Sequence, residues 1–536
     1  MTRPSLEQGT PAVVPATVCR ALRDKTEIAL LDVRPEGRFA EGHLLFAASF
    51  PLGRLEAEVF DRLPRRSVPI VVYGDGPDDA DVAIRRLQRL GYGDISVLAG
   101  GVAGWAATGG ELFRDVNAPS KAFGELVAAT AGTPAVDAGE LRALLRGNAD
   151  VVVVDARRFD EYHTMSIPTA TSVPGAELVL RVGALAPDPA TVVVVNCAGR
   201  TRSIIGTQSL INAGSPNRVV ALRNGTIGWT LAGLTLDHGQ ESRAPEVPAG
   251  MARRAKAAAR AVARKAGVRD IRSAGLRSLV DGGQRTVYRF DVRSPEEYAT
   301  GHLAGFRSAP GGQLVQETDW FAPVRGAVVI LADDDGGQAA MTASWLAQMG
   351  WEVAVLHGDP AAGPIEPGPW APALPALPEV SLASPAQVDE WLRADQALVI
   401  DLDTSRLFLA GHVPGAAWAL RADLSSGTVL DHLGWPPRLV LTSADGILAA
   451  FAAAEIPERP GTEVMVLAGG TAGWARSGRP LQAGQGVMLS PLIDFYRRPY
   501  EGTGVDAASM QAYLDWEHGL VAQLERDGTH GFTVLT

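Results

Sequence analysis

Short apolar runs ending in an acidic residue recur along the chain: 28-IALLDVR-34, 151-VVVVDAR-157, 287-VYRFDVR-293 and 398-LVIDLD-403, with Asp32, Asp155, Asp291 and Asp401 in register. A turn-like element follows each one: 41-EGHL-44, 301-GHLAG-305 and 411-GHVPGA-416, replaced in the second copy by 165-MSIPTA-170. A second apolar run then leads into a helix-compatible segment, as 68-VPIVVYGDG-76, 191-TVVVVNCAG-199, 327-AVVILADDD-335 and 438-RLVLTSADG-446. Each unit closes with 100-GGVAGW-105, 224-NGTIGW-229, a degraded 357-HGDP-360 or 469-GGTAGW-474. Short runs apolar on both faces, alternating with helical segments, predict α/β units built on parallel sheets. Self-similarity at this period predicts a tandem array of four.

The repeat places units at 1–115, 116–245, 271–362 and 381–485. Between the second and third lies 251-MARRAKAAARAVARKAGVR-269, with seven basic residues and no acidic one; it predicts a solvated helical linker over 246–270. The segment 360-PAAGPIEPGPWAPALPALPEV-380 predicts a proline-rich, semi-rigid linker over 363–380. A partly helical tail, 486–536, carries 495-FYRRPY-500 and 508-ASMQAYLDWEHGLVAQLER-526, whose aromatics are expected to pack on a neighbouring unit.

With 536 residues the chain can hold several cores. Its 49 Lys+Arg against 60 Asp+Glu give a net charge of −11. That balance argues against general binding to nucleic acid or to an anionic membrane, and no apolar run has the roughly 18 residues of a membrane span. The N-terminus lacks the layout of a secretory signal, so a cytoplasmic protein is expected. Two cysteines, Cys19 and Cys197, build neither a disulfide framework nor a four-thiolate metal site. No metal or organic cofactor is expected.

The second strands point at helix N-termini, where free N–H groups and the helix dipole favour an anion. The corresponding loop positions are Gly74, Cys197, Ala332 and Thr442, so only the second unit carries a thiol. Its loop, 197-CAGRTR-202, is basic, whereas 74-GDGPDD-79 and 332-ADDDGG-337 are acidic and 442-TSADGI-447 carries one aspartate. A lowered pKa at Cys197, hence a ready nucleophile, is the expectation. Asp333, Asp334 and Asp335 are read as helix caps rather than cation ligands.

The succession of D-x-R, G-H-x-x-G, strand-C-x-G loop and G-G-x-x-G-W resembles the rhodanese superfamily of sulfurtransferases over roughly 12–485. The resemblance implies four tandem rhodanese-like domains, each a small, mainly parallel sheet flanked by helices, with the second catalytic and the other three inactive. It implies a relay in which Cys197 takes the outer sulfur of thiosulfate, holds it as a persulfide and passes it to cyanide, a thiol or a sulfur-accepting protein. The backbone of Ala198, Gly199, Arg200, Thr201, Arg202 and Ser203 would cradle that sulfur. Sulfite is a good leaving group, so no general base is required. Arg202, and less directly Arg200, would meet the donor's oxyanion, which guanidinium suits. Arg157 with Glu161 resembles the family's structural ion pair, and His163 and Cys19 are read as bystanders. One departure is Met165–Ser166, which stands where the pattern has Gly-His.

Three other readings compete. The six-residue C-x4-R loop is shorter than the C-x5-R loops of related phosphatases and arsenate reductases, which disfavours phosphate. A 3-mercaptopyruvate donor keeps the chemistry, though the basic loop lacks the G-S-G-V-T-like pattern of such enzymes. A non-enzymatic sulfur carrier or scaffold is the remaining alternative.

Overall fold

The computed structural model describes residues 10–536 apart from 148, 335, 358–362, 426 and 503. The first nine residues of the first unit, Asp335 of the acidic cluster and 358–360 of the third closing motif lie outside the described residues.

The paired apolar runs form the centres of four sheets of five or six strands. In the second unit the order is Ala135–Val136, Val219–Leu222, Val192–Asn196, Val151–Asp155, Thr171–Ser172, with every neighbour parallel. The β-branched runs are buried there because helices cover both faces, leaving separate apolar cores on the two sides. The fourth unit repeats this with two cores of its own. The first and third are fused more closely, since Val324–Arg325 pairs antiparallel with Ile28–Asp32 and one large core spans both.

Connections expected to be simple linkers are integrated into the fold. The basic helix, Ala249–Lys265, is not fully solvated: Ala259, Val262 and Ala263 are buried against the helices Gly337–Gln348 and Leu178–Leu185. Its alanines permit that close approach, while Arg253, Arg254, Arg264 and Lys265 are exposed. Ile365–Glu366, inside the proline-rich segment, pairs antiparallel with His302–Leu303. Among the described residues no helix is long and apolar enough to cross a membrane.

The repeated motifs now have mechanical explanations. Each D-x-R forms a buried two-pronged ion pair, as in Asp32–Arg34, Asp155–Arg157 and Asp291–Arg293, and each arginine also donates to the carbonyl at the turn, on Gly42, Met165 or Gly301. The fourth unit has Asp403 where the arginine would stand, and burial pushes Asp401 up to about 7. His43, His302 and His412 stack on Phe39, Tyr298 and Phe408 with centroids 3.7–3.9 Å apart. The Gly-His pair is therefore a packing element. In the second unit Ser166 takes the histidine's buried place, its backbone N–H donating to Asp237.

Candidate active site

Strand Val192–Asn196 delivers Cys197 at its C-terminal end, and the loop turns at Ala198–Arg200 into helix Thr201–Asn212. The closing motif grips this loop. Gly225 has φ +53, and a Cβ there would lie 2.2 Å from the Cys197 carbonyl oxygen, so only glycine fits. The Thr226 and Ile227 amides donate to the carbonyls of Cys197 and Ala198 at 2.9 and 3.0 Å. Trp229 anchors the motif from the core, its indole N–H donating to Thr235. The distant G-x-x-G-W signature thus fixes the backbone beside the thiol.

Cys197 is 2 % exposed, and its thiol donates to the Ser203 hydroxyl across 3.4 Å. That hydroxyl in turn donates to the Arg200 carbonyl, while the Ser203 amide also faces the sulfur. Burial pushes the Cys197 thiol up, although Arg202 and Ser203 pull in the other direction. This reverses the expected lowered pKa. The loop does sit at a helix start, but the compartment around it is closed, and desolvation disfavours the thiolate more than the neighbours favour it.

The closure comes from two elements outside the loop. Helix Ala118–Ala131 packs so tightly that a Cβ on Gly124 would lie 2.9 Å from Thr201. The tail helix Ala507–His518 lies over Gly199: a Cβ there would be 3.2 Å from the Tyr513 ring and 3.3 Å from Glu517 Oε2. Lys121 locks the tail in place. It is paired with Asp115 at 2.8 Å and lies 5.0–5.5 Å from the ring centroids of Tyr500, Tyr513 and Trp516.

Both loop arginines are engaged. Arg200 makes a two-pronged bond to Glu125, at 2.6 and 2.8 Å, and reaches Asn224 at 3.1 Å. Arg202 does the same with Glu161, at 2.6 and 2.9 Å, and holds that carboxyl down at about 2 against a cost of burial. Arg157 pairs with Asp155, not with Glu161 as expected. Thr201 and Ala198 are buried beside the sulfur loop. His163 is exposed, its Nδ1 bonded to the Gln240 carbonyl and its ring stacked on Phe159, and half-buried Cys19 packs on the first core. A cavity of about 480 Å³ opens on the Arg202 side, where Arg157, Met165, Gln316, Arg406, Arg498 and Tyr500 from several units converge.

At the corresponding loops of the third and fourth units, Asp333, Asp334 and Asp445 serve the backbone or an arginine. Asp333 accepts from the Gly336 and Ala339 amides, Asp334 pairs with Arg293 at 2.6 Å, and Asp445 accepts from the Ile447 amide. Glu125, Tyr513 and Glu517 carried no local sequence signal, because their roles arise from helices 72 residues before and over 300 residues after Cys197 in the numbering.

The rhodanese-like domain family matches residues 15–108, 137–232 and 275–360. Comparison with curated proteins gave no match. Among solved structures the chain is similar to a thiosulfate sulfurtransferase from Pseudomonas aeruginosa, with 55% identity over 98% of this chain and 100% of that one and a TM-score of 0.96. It also matches the Alr3790 protein from Anabaena sp., with 28% identity over 19% of this chain and 83% of that one and a TM-score of 0.19.

Proposed function

The chain belongs to the rhodanese family, and from that premise we propose that it is a thiosulfate sulfurtransferase whose working residue is Cys197. The thiolate attacks the outer sulfur of thiosulfate, the S–S bond to the sulfonate breaks, and its electron pair leaves with sulfite. Cys197 then holds a persulfide, which cyanide or another thiophile strips to regenerate the thiolate.

The observation that carries this reading is the lone thiol at a strand end, clamped by the closing motif and facing the Ser203 hydroxyl and amide. The donor's identity is supported by the likeness to the thiosulfate sulfurtransferase from Pseudomonas aeruginosa. The amides from Ala198 to Ser203 would cradle the added sulfur. Arg200 and Arg202, each tied to a carboxylate, contribute the order of the loop first, and the donor's oxyanion would approach from the cavity beside Arg202. The unit at 116–245 is the catalytic one. Those at 1–115, 271–362 and 381–485 have Gly74, Ala332 and Thr442 in place of the thiol and serve as scaffold. The use of a single unpaired nucleophile fits a reducing compartment such as the cytoplasm.

Thiocyanate formation from thiosulfate and cyanide is the test. Wild type and Cys19→Ser should turn over alike, and Cys197→Ser should be inactive. Turnover surviving in Cys197→Ser would remove the central residue of the proposal.

A further inference from the structure

Glu517 is 0 % exposed, in the tail helix that covers the Gly199 turn. Its Oε1 accepts from the Tyr513 hydroxyl at 2.8 Å. Its Oε2, also buried, has no hydrogen-bond partner and points at the turn two residues beyond Cys197. An orphaned carboxyl oxygen in so dry a place is costly. No ion pair of the described residues includes it: Arg200 is committed to Glu125, Lys121 to Asp115 and Arg202 to Glu161. The groups facing it are Lys121 and Glu125 from the helix Ala118–Ala131, Arg200 and Cys197 from the loop, and Tyr513 from its own helix.

A carboxyl in this position is stable as the neutral acid, and a neutral acid is a hydrogen-bond donor in need of an acceptor. The described residues offer none at Oε2. A persulfide on Cys197 would, because the added sulfur is anionic and projects into the loop. Resting on the sulfurtransferase reading, we propose that Glu517, in its protonated form, donates a hydrogen bond from Oε2 to the outer sulfur of the Cys197 persulfide and so positions it. Through this contact the C-terminal tail completes a site otherwise built in the second unit.

The proton state agrees with the geometry. Burial pushes the Glu517 carboxyl up to about 8, Glu125 adds to the rise, and Lys121, Tyr513 and Arg200 oppose it. The acid form therefore predominates at pH 7. Above pH 8 the carboxylate would repel the persulfide, so the support is present at neutral pH and withdrawn as pH rises through 8.

The test compares wild type, Glu517→Gln and Glu517→Leu in a Cys19→Ala background. The persulfide is installed with polysulfide, and intact mass then reads the fraction of sulfur retained at graded sulfite concentrations from pH 6 to 10. Glutamine keeps a donor and cannot ionise; leucine has neither property. Glu517→Leu should retain sulfur about 10- to 100-fold less well at pH 7, the range of a lost hydrogen bond to a charged group. Glu517→Gln should stay within a few-fold of wild type at pH 7 and overtake it above pH 8. A contribution limited to docking the tail would lower retention in both variants equally and at every pH, and that result would overturn the proposal, as would equal retention in all three. Failure of wild type to load from thiosulfate, with this pattern still present after polysulfide, would refute the donor assignment and leave the role of Glu517 standing.

Discussion

Replacing Arg202 tests whether the loop arginine is first a structural partner. Glu161 is largely buried, its side chain 23 % exposed, and Arg202 is the leading cause of its lowered pKa, with Arg157 and Arg158 adding smaller shares. A carboxyl held at about 2 instead of 4.5 favours its ionised form in the fold by roughly 3 kcal/mol. Since two other arginines remain, Arg202→Ala should cost about 2–3 kcal/mol of local stability at pH 7. That figure lies at or below the usual loss on stranding one member of a buried pair. The folded pKa lies below the unfolded one, so this stability is present above pH 4.5 and disappears as pH falls towards 2. Hydrogen exchange of the segments 159–164 and 201–212 reads the local opening energy without assuming that a four-domain chain unfolds in one step. Amides there should exchange roughly 30- to 150-fold faster in Arg202→Ala, and a second change, Glu161→Gln, should recover most of the loss. Unchanged protection in Arg202→Ala, or no recovery in the double variant, would refute the reasoning.

Two further outcomes follow from the same geometry. Asp401 is buried without the arginine its counterparts have, so its folded pKa of about 7 exceeds the ordinary 3.8 and the fourth domain loses stability as pH rises between those values. Asp401→Asn should raise the thermal midpoint of that domain at pH 8, by up to about 4 kcal/mol of stability, and calorimetry at pH 5 and pH 8 should show the gain growing with pH; a loss at pH 8 contradicts it. Gly199→Ala places a methyl 3.2 Å from Tyr513 and 3.3 Å from Glu517, so these side chains have to give by a few tenths of an ångström and the tail contact loosens. Limited proteolysis should then cut within 495–518 faster than in wild type, and an unchanged rate would contradict the expected loosening.

Much of the fold was legible because it repeats. Four apolar pairs of runs, each ending at a comparable position, identify buried parallel strands, and the aligned loops single out Cys197 by what the other three lack. The G-x-x-G-W signature was visible, although its purpose was not. Only the structure places Gly225 against the Cys197 carbonyl, which turns a sequence pattern into a clamp. Legibility failed where distant segments meet. The charge of 197-CAGRTR-202 suggested free cations and an activated thiol, yet Glu125 and Glu161 consume the two arginines and the tail seals the sulfur from water. Loop composition reports which charges are near a nucleophile but not how dry the site is, and at Cys197 desolvation dominates. The alanine-rich, seven-cation composition of 251–269 suggests a solvated connecting helix. Its alanine face, buried at Ala259, Val262 and Ala263, carries the packing.

The most direct test of the sulfur relay is the intact mass of wild-type protein and of Cys197→Ser after exposure to thiosulfate, and again after cyanide. The account predicts a gain of one sulfur atom in wild type, none in Cys197→Ser, and return to the starting mass with cyanide. A wild-type protein that gains no sulfur, or a Cys197→Ser protein that gains it equally, would contradict the claim that Cys197 carries the transferred sulfur.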